Sequence, residues 1–162
     1  MTNGMVSAPQ PEAVETGLDI LKAGGNVVDA AIGAALVQTV VDPQMCGIAG
    51  FGSMHLYLAE AGVHTCIDFH GRAPRATRPD MWEPLILGEC EDGFGFLLKD
   101  QVNEIGYQSM TTPMTLLAFD EAMTRFGSQS LADVLGPAIQ IAEDGFLVRP
   151  AVHGFWTRGS ES

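Results

Sequence analysis

The side chains best suited to chemistry lie in residues 63–72. In an extended strand over residues 63–69, successive side chains point to opposite faces, and the odd-numbered positions are suited to a core. The other face carries four polar residues and, if the extended backbone continues, an arginine on the same side: His64, Cys66, Asp68, His70 and Arg72. A polar face of this kind either meets solvent or lines a cleft, and spacing alone favours solvent.

The same strand includes residue types that bind transition metals, namely imidazole, thiolate and carboxylate. Donors at alternate positions of one straight strand diverge too far, however, for four of them to reach a single ion. Spacing suggests no partner for the two remaining histidines, His55 and His153. The sequence therefore predicts neither a metal site nor a cofactor.

Two further motifs resemble catalytic signatures without matching them. Thr111 and Thr112 form a doublet that could supply a hydroxyl nucleophile. Because Thr112 precedes Pro113 at the start of a helical pattern, the sequence predicts that Thr112 is a helix N-cap. The three glycines of residues 47–52 lack the GK[ST] sequence of a phosphate loop and precede a strand, which favours close backbone packing.

A hairpin and several helices must position these residues. The patterns predict a short strand at residues 5–8, helices at 12–23, 27–41, 113–125 and 131–143, and a hairpin formed by 53–59 and 63–69. The helix at 27–41 is apolar on every side and must be buried. Gly24 and Gly25 can adopt the left-handed conformation that closes the first helix, and Asn26 can cap the second. Residues 84–107 are predicted to be an irregular surface connection. Beyond Pro150 the chain loses periodicity, and the small polar residues at its end are expected to fray.

Composition and charge exclude several classes of partner. The 162 residues, 46% of them hydrophobic, suffice for one compact domain over residues 1–162. Eight Lys and Arg against twenty Asp and Glu give a net charge of −12, which repels phosphate backbones and anionic lipids. We therefore expect no nucleic acid partner and no membrane partner.

The cysteines and the N-terminal residues indicate the cellular compartment in which the protein is expected. Cys46, Cys66 and Cys90 are odd in number and show no CxxC spacing, so they are predicted to be reduced thiols. The first nine residues lack the basic start and apolar core of a secretory signal, and no apolar run reaches the roughly 20 residues of a membrane span. A cytoplasmic location is the resulting prediction.

Several motifs in a fixed order resemble the gamma-glutamyltranspeptidase family. They are KAGGNVVDAAIGAAL, VVDP, GIAGFGSMHLYL, CIDFHGRAP and RPDMW, followed by GYQSMTTPMTL and LADVLGPAIQIAEDGF. The resemblance extends over about residues 4–150 and is to the N-terminal part of the large subunit. It implies an α+β fold, part of the α/β/β/α sandwich of N-terminal-nucleophile hydrolases and incomplete in this chain.

The resemblance also implies an enzymatic activity. In this family a precursor cleaves itself, and the threonine that then begins the small subunit attacks a gamma-glutamyl amide. The acyl group passes to water or to an amino acid, and no cofactor takes part. Because that threonine lies beyond the matched region, the chain is expected to lack the nucleophile, to be inactive alone and to have the small subunit as its partner.

A substrate-binding role is implied for two residues, and no catalytic residue is assigned. Family members carry an Arg directly after the DF or DG pair, and this Arg holds the alpha-carboxylate of the gamma-glutamyl group. Here His70 occupies that position, and Arg72, two residues later, could offer the same planar fork to a carboxylate. This departure leaves two alternatives open: a related amidase or acylase with a non-glutamyl acyl group, and an inactive truncated remnant.

Overall fold

The computed structural model describes residues 4–157, which contain five α-helices and two small antiparallel sheets. The helices are α1 (Pro11–Lys22), α2 (Val27–Val41), α3 (Thr115–Phe126), α4 (Leu131–Asp144) and α5 (Pro150–Thr157). The strands are β1 (Ser53–Leu58), β2 (Val63–Asp68), β3 (Ile86–Glu89) and β4 (Phe96–Leu98), with β1 paired to β2 and β3 to β4. These residues form two compact units, a larger one of residues 4–69 with 114–157 and a smaller one of residues 70–113.

The junction between α1 and α2 forms as predicted at two of its three residues. Gly24 has a φ of +96°, in the left-handed region that glycine adopts at little cost. The Asn26 side chain accepts hydrogen bonds from the backbone N–H groups of Val28 and Asp29, and the Asp29 side chain accepts one from the backbone N–H of Asn26. This reciprocal arrangement is a capping box. Gly25 is not left-handed, so only Gly24 closes α1 in the predicted way.

Helix α2 is the buried centre of the larger unit, as its sequence predicts. Ile32, Leu36 and Val37 are each at most 1% exposed because α1, α3 and α4 all pack against this helix. Gly17 of α1 allows a close approach, since a Cβ at this position would lie 3.1 Å from the carbonyl oxygen of Ala30. Within residues 4–157, no helix is both long enough and apolar enough to cross a membrane.

Strands β1 and β2 confirm the predicted hairpin and its two faces. Leu56 is buried, and Phe69, just after β2, is packed edge-on against Phe119 of α3 at 6.3 Å between ring centroids. On the opposite face the polar side chains are exposed. The register pairs His55 with Cys66 directly across the two strands.

The strand predicted at residues 5–8 is absent. These residues have no strand partner among those described, so they form no ladder. Val6 and Ala8 instead pack against the core cluster as an extended segment without regular secondary structure. Apolar alternation here reflects packing against helices rather than pairing with another strand.

The segment after Pro150, where the sequence shows no periodicity, forms most of α5. Val152 is 2% exposed, and Phe146 meets Trp156 edge-on at 6.3 Å between ring centroids. Just before the helix, Arg149 Nη2 lies 2.9 Å from a carboxylate oxygen of Glu12 in α1. These tertiary contacts order a segment whose own sequence shows no clear period. The small polar residues that are expected to fray belong to residues 158–162, which lie outside the described range.

The predicted start of α3 and its N-cap are also wrong. The helix begins at Thr115, and the cap position is Met114, whose side chain makes no capping hydrogen bond. The carbonyl oxygen of Gly50 accepts hydrogen bonds from the backbone N–H groups of Met114 at 3.1 Å and Thr115 at 3.3 Å. A distant loop therefore satisfies donors that the sequence assigned to the Thr112 side chain.

Helix α4 follows its prediction, whereas the smaller unit is more regular than expected. Ser130 caps α4 by accepting a hydrogen bond from the N–H of Asp133, and Gly145 ends the helix with a φ of +81°. The segment at residues 84–107 is largely exposed, as predicted, but it contains the β3–β4 hairpin. Its exposure conceals the strand pattern, because neither face of these strands is buried enough to enforce an alternation.

Candidate functional site

Arg72 is held at its backbone by the threonine doublet. The N–H of Thr112 donates to the carbonyl oxygen of Arg72 at 2.9 Å in an isolated antiparallel bridge. A Cβ at Gly71 would lie 2.3 Å from Thr111 Oγ1, so glycine is needed for this approach. The doublet therefore positions the segment that carries Arg72. Sequence reasoning missed this role because a bridge across 40 residues leaves no local signal.

The side chains of Arg72 and His70 are both exposed. Among residues 4–157, the guanidinium of Arg72 has no carboxylate partner, whereas three other arginines do. Those pairs are Arg78 with Asp80, Arg125 with Glu121, and Arg149 with Glu12. The Arg72 guanidinium thus offers a planar set of N–H donors suited to bidentate binding of a carboxylate.

The polar face of the β1–β2 hairpin contains a histidine pair that the sequence did not predict. His55 Nε2 and His64 Nε2 lie 2.7 Å apart, a hydrogen-bond distance at which one ring donates and the other accepts. The ring of Tyr57 stands edge-on to His64 at 5.7 Å between centroids. Only the hairpin register brings His55 to the side chains of β2, so its separation along the chain hid the pairing.

An open cavity of about 410 Å³ lies in the larger unit beside the glycine-rich turn. Its lining combines aromatic residues with polar ones from α2 and α3, including Phe51, Phe69, Phe119, Gln38, Thr39 and Thr115. Cys46 also lines it, but burial and the nearby Asp42 carboxylate raise the pKa of this thiol, which disfavours a thiolate nucleophile. A Cβ at Gly50 would lie 3.0 Å from the carbonyl oxygen of Gly47, so close backbone packing explains this glycine.

Asp29 is fully buried, and its contacts assign it a structural role. Its carboxylate accepts hydrogen bonds from the Ser128 hydroxyl at 2.5 Å and from the backbone N–H groups of Asn26, Ser128 and Gln129. Burial opposes ionisation, but these four donors outweigh it and lower the pKa of Asp29. The carboxylate joins the start of α2 to the loop between α3 and α4 and is closed to substrate.

Comparison with known proteins identifies the family. Residues 13–162 match the family model described as gamma-glutamyltranspeptidase, and the chain belongs to this family of enzymes. It is 40% identical over 151 residues to an acylase ACY 1 proenzyme of Pseudomonas sp. (strain V22), covering 92% of this chain and 26% of that protein. A glutathione hydrolase proenzyme of Bacillus subtilis (strain 168) is 35% identical over 144 residues, covering 89% of this chain and 23% of the relative. The chain thus spans about a quarter of the length of these curated relatives.

Solved structures of the family share the fold. The Helicobacter pylori gamma-glutamyltranspeptidase matches with a TM-score of 0.85 and 25% identity, over 99% of this chain and 43% of that chain. A cephalosporin acylase from Bacillus halodurans matches with a TM-score of 0.78 and 30% identity, over 99% and 29% respectively. These similarities confirm the expected fold class, a partial α+β fold of the N-terminal-nucleophile hydrolase type.

Proposed function

We propose that this chain forms part of a gamma-glutamyltransferase or hydrolase and contributes Arg72 to the binding of the substrate carboxylate. The observation that carries the proposal is the exposed Arg72 guanidinium, which has no carboxylate partner among residues 4–157 and lies on a backbone bridged to Thr112. Arg72 is the third residue after the DF pair at residues 68 and 69. His70, at the position where the family usually has Arg, is proposed to lie beside the substrate as well.

The proposed reaction uses a threonine outside the region matched here. Its hydroxyl, activated by its own alpha-amine, attacks the amide carbonyl, and the C–N bond breaks as the amine leaves with a proton. The resulting acyl-threonine passes its acyl group to water or to the amine of an amino acid. Arg72 would hold the free carboxylate of the acyl group and so orient the carbonyl for attack.

The remainder of the enzyme, including a small subunit, is therefore the proposed partner. The curated relatives are described as proenzymes, which supports a processed precursor. Thr112 in this chain uses its backbone in the bridge to Arg72, and we propose no nucleophile among residues 1–162. The 162-residue chain alone should release no product from a gamma-glutamyl anilide. A small amide as substrate and a cytoplasmic location are part of the same proposal.

A second candidate is an acylase that removes a non-glutamyl acyl group. Two observations favour it: the 40% identity to acylase proenzymes and the presence of His70 in place of the usual Arg. Under this alternative the substrate need not carry an alpha-carboxylate, and the guanidinium of Arg72 would be solvated or structural. The two candidates therefore differ in how strongly Arg72 should affect substrates that contain this carboxylate.

Substitution of Arg72 in the complete enzyme tests the proposal. Arg72→Lys keeps the charge but loses the planar fork, so it should weaken transition-state binding of a gamma-glutamyl substrate by about 1–3 kcal/mol. A paired substrate that lacks the alpha-carboxylate should be affected little. The measurement is kcat/KM on both substrates, with Arg75→Lys, an exposed arginine three residues further on, as the matched control.

A second substitution, His70→Arg, places a guanidinium at the position where the family usually has Arg. It should raise kcat/KM for gamma-glutamyl donors relative to the substrate without the carboxylate. Equal losses on both substrates in Arg72→Lys, or no loss on either, would refute carboxylate recognition by Arg72. Efficient cleavage by the unmodified enzyme of only the substrate without the carboxylate would favour the acylase.

A further inference from the structure

The exposed face of the β1–β2 hairpin brings together nitrogen donors from two strands. His55 Nε2 of β1 and His64 Nε2 of β2 lie 2.7 Å apart, and both side chains are exposed. The register places Cys66 directly opposite His55, and its thiol is free and exposed. The proposed acyl transfer uses none of these groups.

We infer that His55 and His64 form a binding site for a divalent transition metal ion, with Zn²⁺ as the ion it would take. Neutral imidazole is a common ligand of zinc, copper and nickel. In the metal-free pair, one ring must offer a nitrogen lone pair to the N–H of the other. On metal binding, the donating ring would lose its Nε2 proton to solvent and take up a proton at Nδ1. Each neutral ring then offers an Nε2 lone pair to the metal ion.

The geometry requires only a small change. With Zn–N bonds of about 2.0–2.1 Å in a tetrahedral arrangement, two ligating nitrogens stand about 3.3 Å apart. The observed separation of 2.7 Å must therefore grow by roughly 0.6 Å. Exposed side chains can accommodate this by rotating about their χ angles, without moving the paired backbone of the hairpin.

The hairpin preorganises the two ligands. The strands are paired continuously from Ser53 with Asp68 to Leu58 with Val63, and the opposite face packs against the core. The edge-on contact of Tyr57 limits the orientations of the His64 ring. Such support lowers the cost of ordering both imidazoles on binding.

The two histidines supply part of the coordination sphere. Within residues 4–157, no group of three or more His, Cys, Asp or Glu side chains is arranged to hold a metal ion. Water or another external donor would therefore occupy the remaining positions, which makes the site an open one. Donors at alternate positions of one strand diverge, whereas donors on two adjacent paired strands can converge on one ion.

Titration of the untagged full chain with zinc chloride at neutral pH tests this inference. Calorimetry should show a single saturable event. His55→Gln and His64→Gln should each weaken it by roughly tenfold or more, because each removes one of only two protein ligands. His153→Gln, at an exposed histidine of α5, is the matched control and should leave the affinity unchanged. Circular dichroism of each variant verifies that the chain remains folded.

A second readout identifies the ligands independently of affinity. With Cu²⁺ as a paramagnetic probe, electron paramagnetic resonance should show coupling to two imidazole nitrogens, and His64→Gln should reduce this to one. The inference is overturned if zinc does not bind, or if binding survives both histidine substitutions. Binding that is lost only in Cys66→Ser would also overturn it, since the thiol alone would then hold the ion.

Discussion

Replacement of Asp29 by Asn should destabilise the chain far more than an ordinary helix-start substitution. One carboxylate oxygen accepts from the Asn26 N–H and the Ser128 hydroxyl, and the other accepts from the N–H groups of Ser128 and Gln129. An Asn side chain retains only one acceptor oxygen. In its best orientation the amide NH₂ takes the first oxygen's place, and the Ser128 hydroxyl turns to accept from it. The N–H of Asn26 then has no acceptor.

The magnitude follows from these four contacts. A buried donor without an acceptor costs about 1–3 kcal/mol, and the three remaining bonds lose their charge assistance. The negative charge at the start of α2 also interacts favourably with the helix dipole, by about 0.3–1 kcal/mol or somewhat more when buried. Together we expect a loss of about 2–4 kcal/mol, a large share of a typical free energy of unfolding of about 5–15 kcal/mol.

Asp133→Asn provides the matched control. Asp133 has the same position in the first turn of α4, and its carboxylate accepts a hydrogen bond from Ser130 Oγ at 2.6 Å, but this contact is exposed. Asp133→Asn should therefore lower the free energy of unfolding by less than about 1 kcal/mol. Urea unfolding of both variants and of the unmodified chain, followed by circular dichroism, measures the difference.

The pH dependence of the free energy of unfolding gives a second test of the role of Asp29. Because the folded-state pKa of Asp29 is lowered, its stabilisation is fully present above the unfolded-state pKa of about 3.9 and is lost as the pH falls through the folded-state value. The stability gap between the unmodified chain and Asp29→Asn should therefore narrow on acidification. Equal losses for Asp29→Asn and Asp133→Asn, or a gap that does not change with pH, would refute this account.

Glycine substitutions test the close contacts in each unit. Gly17→Ala should lower stability despite a helix-propensity gain of about 1 kcal/mol, because its Cβ would press on the carbonyl of Ala30, whereas Gly154→Ala in α5 has open space and should raise stability by about 0.5–1 kcal/mol. Urea midpoints that shift in the same direction for both would contradict this. Gly71→Ala should loosen residues 70–113 by displacing Thr111, and limited proteolysis should show faster cleavage there that Thr111→Gly partly reverses. Unchanged cleavage in Gly71→Ala would mean that the bridge to Arg72 does not depend on this glycine.

The sequence alone determined the elements whose causes are local. The apolar composition of α2, the capping residue Asn26 and the alternation in β1 and β2 each act within a few residues, and the structure confirms all three. The ordered motifs also identified the family, which the comparisons confirm. Local propensity and periodicity were sufficient because these segments pack in the way that their own patterns require.

Only the tertiary structure decided the features that join distant residues. The Gly50 carbonyl replaces the predicted Thr112 cap of α3, and the strand register brings His55 to His64. The contacts that order α5 likewise come from the core and from α1. A hydrogen-bonding group accepts whichever partner the fold brings within about 3 Å. Partners separated by dozens of residues leave no periodic trace in the chain, which is why the backbone support of Arg72 and the histidine pair became visible only in three dimensions.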